Sequence, residues 1–199
     1  MSKRGFDRLW TGLGLALLWP LFLVVGLLIK LEDKGPVFFR QNRVGQGGRG
    51  FRIWKFRTMV ARADQLGPLI TVGKDPRITR MGAWLRASKI DELPQLINVL
   101  VGEMSLVGPR PEVQKYVDFY TPEQMRVLDL RPGITDLASV KYRDESAILA
   151  KRQDPDRAYV NDIMPEKIRI NLDYAKRSNL WSDFNVILLT LGLLPSRKH

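Results

Sequence analysis

Two carboxylates stand side by side at Asp91 and Glu92, within Ser88-Lys89-Ile90-Asp91-Glu92-Leu93-Pro94-Gln95-Leu96. An adjacent pair can divide its labour: one oxygen attacks an electrophilic phosphorus while the neighbour holds a divalent cation. The same residues also suit a plain helix start, with Asp as the cap and Glu in the first turn. Composition narrows the chemistry. The chain has no cysteine, which excludes disulfides, thiolate nucleophiles and zinc–thiolate sites. Its single histidine is His199, at the final position of the sequence, a poor place for an acid–base catalyst. Carboxylates, hydroxyls, Lys and Arg must carry any reaction. Any metal should be a hard cation held by oxygen, with Mg²⁺ the default.

Cations surround this pair in the sequence. The formal net charge is +11 over 199 residues, which favours an anionic partner. Arg86 precedes the carboxylates. Gly108-Pro109-Arg110-Pro111 fixes Arg110 between two prolines, Arg131-Pro132-Gly133-Ile134-Thr135 reads as a turn, and Arg143 follows a short apolar run at 137–140. Singly, each reads as a surface or salt-bridging residue. Together they can neutralise a diphosphate with Mg²⁺. Nucleic acid is the competing partner for such arginines, but no DNA- or RNA-binding module is present, so no nucleic acid is expected.

Certain elements must place these groups. Leu93, Leu96, Ile97 and Leu100 recur at helical spacing, and Gly102 supplies a stop. Pro94 fits only a first turn. The spacing predicts a helix beginning near Asp91, with free N–H groups and the positive dipole end beside the carboxylates. Residues 37–43 and 51–59 read as two strands around the turn Gly45-Gln46-Gly47-Gly48-Arg49-Gly50. On the second strand Phe51, Ile53, Lys55 and Arg57 share one face, with Trp54 and Phe56 on the other. The glycine cluster lacks the Gly-Lys-Ser/Thr ending of a P-loop. On pattern alone the charged strand face reads as solvated. A helix is expected over 165–177. Ser182 is expected to cap a further apolar helix over 183–194, too short to span a bilayer and suited to the membrane interface or to packing.

Residues 12–29 (GLGLALLWPLFLVVGLLI) carry no charge. As a straight helix they would extend about 27 Å, close to the roughly 30 Å hydrocarbon core. A cleaved signal peptide fits poorly, because Lys30, Glu32, Asp33 and Lys34 follow instead of a small-residue cleavage site. Pro20 costs about 3 kcal/mol in a helix interior, although spanning helices do tolerate kinks. Lys3, Arg4 and Arg8 precede the segment and Lys30 and Lys34 follow it, so both flanks carry the basic residues that stay cytoplasmic. Spanning, re-entrant and core-helix readings all stand on these grounds.

The chain resembles the small monotopic phosphoglycosyl transferases of bacteria, the polyprenyl-phosphate sugar-1-phosphate transferases. The resemblance covers nearly the whole chain. It is carried by Lys55-Phe56-Arg57-Thr58-Met59, Asp91-Glu92-Leu93-Pro94-Gln95-Leu96, Met104-Ser105-Leu106-Val107-Gly108-Pro109-Arg110-Pro111 and Arg131-Pro132-Gly133-Ile134-Thr135, in this order behind an apolar helix. It implies an α+β fold with a re-entrant membrane helix-break-helix at 1–34 and one catalytic unit at 35–199. That unit would contain a β-hairpin, several helices and amphipathic interfacial helices. Trp19-Pro20 stands where the family usually has a Ser-Pro break. By the resemblance Asp91 attacks the β-phosphate of a UDP-sugar and UMP leaves. Polyprenyl (undecaprenyl) phosphate then displaces the aspartyl-bound phosphosugar, as the first membrane step of glycoconjugate assembly. Glu92 matches the Mg²⁺ ligand, and Lys55, Arg86 and Asp183 match polar active-site positions. Pro109, Arg110 and Pro111 resemble a nucleotide-side loop, and Arg143 matches a phosphate-contacting arginine. The implied location is the cytoplasmic face of the bacterial inner membrane, on the lipid bilayer, with a homo-oligomer left open. Asp136-Leu137-Ala138-Ser139 departs from the family's usual Gly-Leu-Ala-Gln, which bears on the sugar more than on the reaction type. The alternative is a non-enzymatic membrane-anchored scaffold whose basic face binds anionic lipids or partners.

Overall fold

A computed structural model describes residues 2–63, 66 and 75–194. His199, set aside above as a catalyst, lies outside these. The first element is a long helix, α1 (Lys3–Asp33), capped by the Ser2 side chain, which accepts from the Gly5 N–H, and closed by Lys34 in the left-handed region. Pro20 lies inside it. The helical backbone continues through this proline. Proline removes a single backbone donor, and the turns after it are held by packing. Val25 and Ile29 are buried against Phe56 and Leu85, with Leu21 and Phe22 alongside. The opposite side of α1 leaves Leu13, Leu17, Trp19, Leu23, Leu27 and Leu31 exposed. It is the one helix among the described residues long and apolar enough to cross a membrane.

A hairpin follows, with β1 (Phe38–Val44) antiparallel to β2 (Gly50–Phe56), pairing Phe38 with Phe56 and Val44 with Gly50. The two strands lie close to the expected 37–43 and 51–59, the second ending three residues early at Phe56. Beyond β2 the chain reaches α2 (Arg80–Ser88), capped by Thr79 and stopped at Lys89 in the left-handed region. Gly82 of α2 lies against the backbone just after β2. A Cβ there would meet the Thr58 carbonyl oxygen at 2.0 Å, so only glycine permits this approach. A 3₁₀ turn, Ile90–Glu92, joins α2 to α3 (Gln95–Val101), which ends at Gly102 with φ 93. The helix anticipated from Asp91 thus begins four residues later. Leu93 and Leu96 bond three residues back rather than four, so the carboxylates occupy a tighter turn ahead of α3.

The 131–135 segment, read as a turn, instead contributes a strand. β3 (Ser105–Val107) and β4 (Gly133–Thr135) pair in parallel. Gly108 and Gly133 pass so closely that a Cβ on Gly133 would lie 2.1 Å from the Gly108 nitrogen. Four short helices connect the rest: α4 (Gln114–Val117) and α5 (Pro122–Met125) before β4, then α6 (Leu137–Lys141) and α7 (Glu145–Leu149) after it. α8 (Pro155–Ala158), a π turn and α9 (Met164–Ala175) follow, and their buried face includes Tyr159, Met164 and Ile168 packed with Val127 and Leu149. The last described helix is α10 (Leu180–Thr190). Its cap is Asn179 rather than Ser182. Ser182 sits three residues in and returns its hydroxyl to the Asn179 N–H, closing a reciprocal capping box.

Candidate active site

The carboxylate pair is positioned by three elements. The turn Ile90–Glu92 carries it, β2 faces it, and the loop leaving β3 reaches across it. Lys55 projects from β2 on the face shared with Ile53, and its side chain is 16% exposed. The strand face read as solvated is therefore turned inward. Lys55 Nζ donates to Glu92 Oε1 at 2.9 Å. Arg110 Nη1 donates to Glu92 Oε2 at 3.1 Å, and its Nη2 donates to Oε1, so the guanidinium grips the carboxylate as a fork. Burial works to raise the Glu92 pKa, but Arg110 and then Lys55 hold it well below the usual glutamate range. Glu92 in turn raises Arg110, while burial lowers Lys55.

Asp91 has the opposite environment. It is 7% exposed, and its Oδ1 is buried without a hydrogen-bond partner. Burial raises its pKa, Lys55 opposes that, and the neighbouring Glu92 charge adds to it. Arg86 acts on Asp91 through its charge and donates from Nε to Thr58 Oγ1 at 2.8 Å. Two adjacent residues of like chemistry are thereby made different. Glu92 is a neutralised, fully bonded anion, and Asp91 keeps an open oxygen in a low-dielectric setting.

The Pro109-Arg110-Pro111 loop is fixed from both sides. The Gly133 N–H donates to the Pro109 carbonyl at 2.9 Å, and the Val44 N–H donates to the Glu112 carbonyl at 2.8 Å. Arg43 Nη1 also donates to the Pro111 carbonyl at 3.1 Å, with Glu112 Oε2 3.9 Å away. Arg43 was read only as the end of a strand, yet its charge acts on Lys55. The period of two held the clue: Arg43 pairs with Phe51 and therefore shares a face with Lys55.

Two expected site residues are engaged elsewhere. Asp183, 4% exposed, accepts from Tyr174 Oη at 2.6 Å and pairs with Lys3 of α1. Nearby, Ser105 Oγ donates to Asp7 at 2.7 Å, so this second polar cluster joins α1 to β3 and α10. Arg143 donates from Nη2 to the Leu189 and Thr190 carbonyls at 3.1 and 2.8 Å, completing the C-terminal end of α10. The structure thus brings Lys55, Arg86, Asp91, Glu92 and Arg110 together, with Pro109 and Pro111 framing the last. Asp183 and Arg143 serve α10.

No cluster of three or more Asp, Glu, His or Cys side chains among the described residues forms a ready metal cage. Magnesium commonly takes only one or two protein carboxylates, with substrate phosphates and water completing its shell. Asp91 Oδ1 is an open oxygen of that kind, and Glu92 becomes one if Lys55 and Arg110 turn to another anion. The donors fit a magnesium ion that arrives with a phosphate.

The chain is similar in sequence to known proteins. Over 194 residues the chain is 41% identical to the UDP-N-acetylgalactosamine-undecaprenyl-phosphate N-acetylgalactosaminephosphotransferase of Aeromonas hydrophila, covering 95% of this chain and 42% of the relative. It is 41% identical over 200 residues to the UDP-glucose:undecaprenyl-phosphate glucose-1-phosphate transferase of Caulobacter vibrioides, covering 98% and 70%. It is 36% identical over 207 residues to galactosyl transferase CpsE of Streptococcus agalactiae, covering 98% and 42%. The chain therefore spans less than half the length of two of these relatives. Residues 1–196 of the 199 match the bacterial sugar transferase family, and the chain belongs to that family.

Proposed function

We propose that this chain transfers a sugar-1-phosphate from a UDP-sugar to polyprenyl phosphate at the cytoplasmic face of a bacterial inner membrane. The observation carrying this reading is the asymmetry of the pair: Glu92 clamped by Lys55 and Arg110, beside Asp91 with a buried, unpartnered oxygen. An Asp91 oxygen attacks the β-phosphorus of the UDP-sugar. A P–O bond forms to Asp91 as the bond to the bridging oxygen breaks, and UMP departs with that oxygen. A phosphate oxygen of the polyprenyl phosphate then attacks the same phosphorus. The aspartyl P–O bond breaks, the carboxylate is regenerated, and a polyprenyl diphosphate sugar is released. Lys55, Arg86 and Arg110 supply the positive charge that such a transfer needs. Mg²⁺, held by Glu92 and the substrate phosphates, would neutralise charge on the leaving nucleotide.

The relatives named above act on different sugars at similar identity. The sugar is therefore best found by experiment. Purified protein with Mg²⁺ is offered a panel of UDP-sugars with polyprenyl phosphate, and UMP release is measured. Intact-protein mass spectrometry without the acceptor should reveal a phosphosugar adduct that Asp91→Asn lacks. No UMP from any donor, with folded protein, would remove the transferase reading and leave the anchored scaffold.

A further inference from the structure

The partners of Glu92 are those an anionic substrate needs. Its two oxygens accept from the Arg110 fork and from Lys55, all side chains of this chain. A planar fork and an ammonium converging on two oxygens is also how these groups take a phosphate. Lys55 and Arg110 thus cannot serve Glu92 and a diphosphate fully at once. Nor can Glu92 offer its oxygens to a metal while two cations hold them. Lys55, Arg86 and Arg110 all act on the carboxylate pair through their charge, so an arriving anion meets cations already assembled around it.

We propose that Glu92 is the resting occupant of the diphosphate seat. An incoming nucleoside diphosphate group takes Lys55 and Arg110 from it, and the carboxylate so released becomes the magnesium donor. This deepens the transferase reading and rests on it. The exchange replaces charge-assisted bonds with others of the same kind, so it is reversible and does not lock the site. It makes metal and diphosphate mutually dependent, because each completes the seat of the other, and linkage requires the coupling to be equal in both directions.

The exchange has a consequence that a plain metal-ligand role lacks. Taking away the internal anion while keeping both cations should tighten metal-free diphosphate binding. Full-length protein in lipid nanodiscs is titrated with UDP by calorimetry, in EDTA and in Mg²⁺. Glu92→Gln is expected to bind UDP about tenfold more tightly than wild type in EDTA and to gain little from Mg²⁺. Lys55→Met is expected to bind more weakly in EDTA. A second measurement needs no variant: the electron paramagnetic resonance signal of free Mn²⁺ should be little changed by wild-type protein alone, where Asp91 offers a single open oxygen, and should fall on adding UDP by more than the same UDP removes without protein. This arm decides the matter if circular dichroism shows Glu92→Gln unfolded. Equal or weaker metal-free UDP binding by folded Glu92→Gln overturns the exchange. So does stoichiometric Mn²⁺ uptake by the nucleotide-free wild type. Failure of the wild type to bind UDP even with Mg²⁺ would overturn the transferase reading as well.

Discussion

Asp91 is the residue at which catalysis and stability should separate. A buried carboxylate with an unpartnered oxygen costs the folded state free energy, and the nearby cations are turned mainly toward Glu92. Asp91→Asn is therefore expected to melt at the wild-type temperature or above it, while UMP release falls by at least about 10³-fold. A residue that merely capped a helix would behave in reverse, losing about 1 kcal/mol of stability and keeping activity. Thermal unfolding and UMP release on the same preparation decide between them. The pH profile follows from the same contrast. The proposed transfer needs Asp91 ionised and Lys55 protonated. Burial raises the first above its ordinary 3.8 and lowers the second below its ordinary 10.5, so the active range should be narrowed from both sides. Glu92 has the opposite sign from Asp91. Its depressed pKa contributes stability that is present above its ordinary 4.5 and lost as pH falls through the lower folded value. The acid limb of activity should accordingly lie at higher pH than acid unfolding. Circular dichroism in the assay buffers checks this, and coincident limbs would assign the loss to unfolding.

At the scale of elements, one amide on α3 ties the free edge of the hairpin to the site. Asn98 is fully buried, and its Oδ1 accepts from the Trp54 N–H at 2.9 Å. Its Nδ2 donates to the Arg52 carbonyl at 3.0 Å and to Glu103 at 2.7 Å. A single side chain thus satisfies part of the free edge of β2 and holds Lys55 in register with Glu92, which lies on the run leading into α3. Asn98→Leu keeps the branched shape but leaves the Trp54 N–H and the Arg52 carbonyl without their partner. It is expected to cost roughly 3 kcal/mol, read as a lower denaturant midpoint with an unchanged slope, and to lower kcat through the displaced Lys55. The sequence reveals only part of this. Alternation over 37–59 exposes the hairpin and which residues accompany Lys55, and Pro94 with Gly102 brackets α3. Asn98 looks like any polar position on a helix, because its partners lie 44 and 46 residues earlier. β3 and β4 pair over too few residues to alternate visibly, and their parallel contact depends on two distant glycines, Gly108 and Gly133. The division of Asp91 from Glu92 is likewise long-range, since it depends on where Lys55 and Arg110 arrive.

The whole molecule constrains how α1 meets a membrane. Near its first turn Lys3 Nζ donates to the Val107 carbonyl at 3.0 Å and Asp7 accepts from Ser105 at 2.7 Å. Midway, Gly14 lies where a Cβ would stand 3.8 Å from Leu96 of α3, and Gly26 has Val37 at 3.4 Å. At its last turn Glu32 accepts from the Met81 N–H at 3.1 Å and Asp33 pairs with Arg57. Both ends, and points between, therefore touch the same folded body. A helix spanning a bilayer would place its ends on opposite sides of about 30 Å of hydrocarbon, and one body cannot hold both there without being buried in lipid itself. The bonds at the two ends are polar or ionic, which lipid would make costly to leave unsatisfied. α1 should then lie with its bonded face on the catalytic body and its exposed face, including Leu17, Trp19, Leu23 and Leu31, in the membrane. Exposed Trp10, Trp84 and Trp181 suit the interfacial level. The chain has no cysteine, so single cysteines at Ser2 and Lys34 report cleanly. A membrane-impermeant maleimide added to inside-out vesicles is expected to label both, and added to intact cells to label neither. Labelling of the two positions from opposite sides would mean that the contacts at one end of α1 do not exist in the membrane.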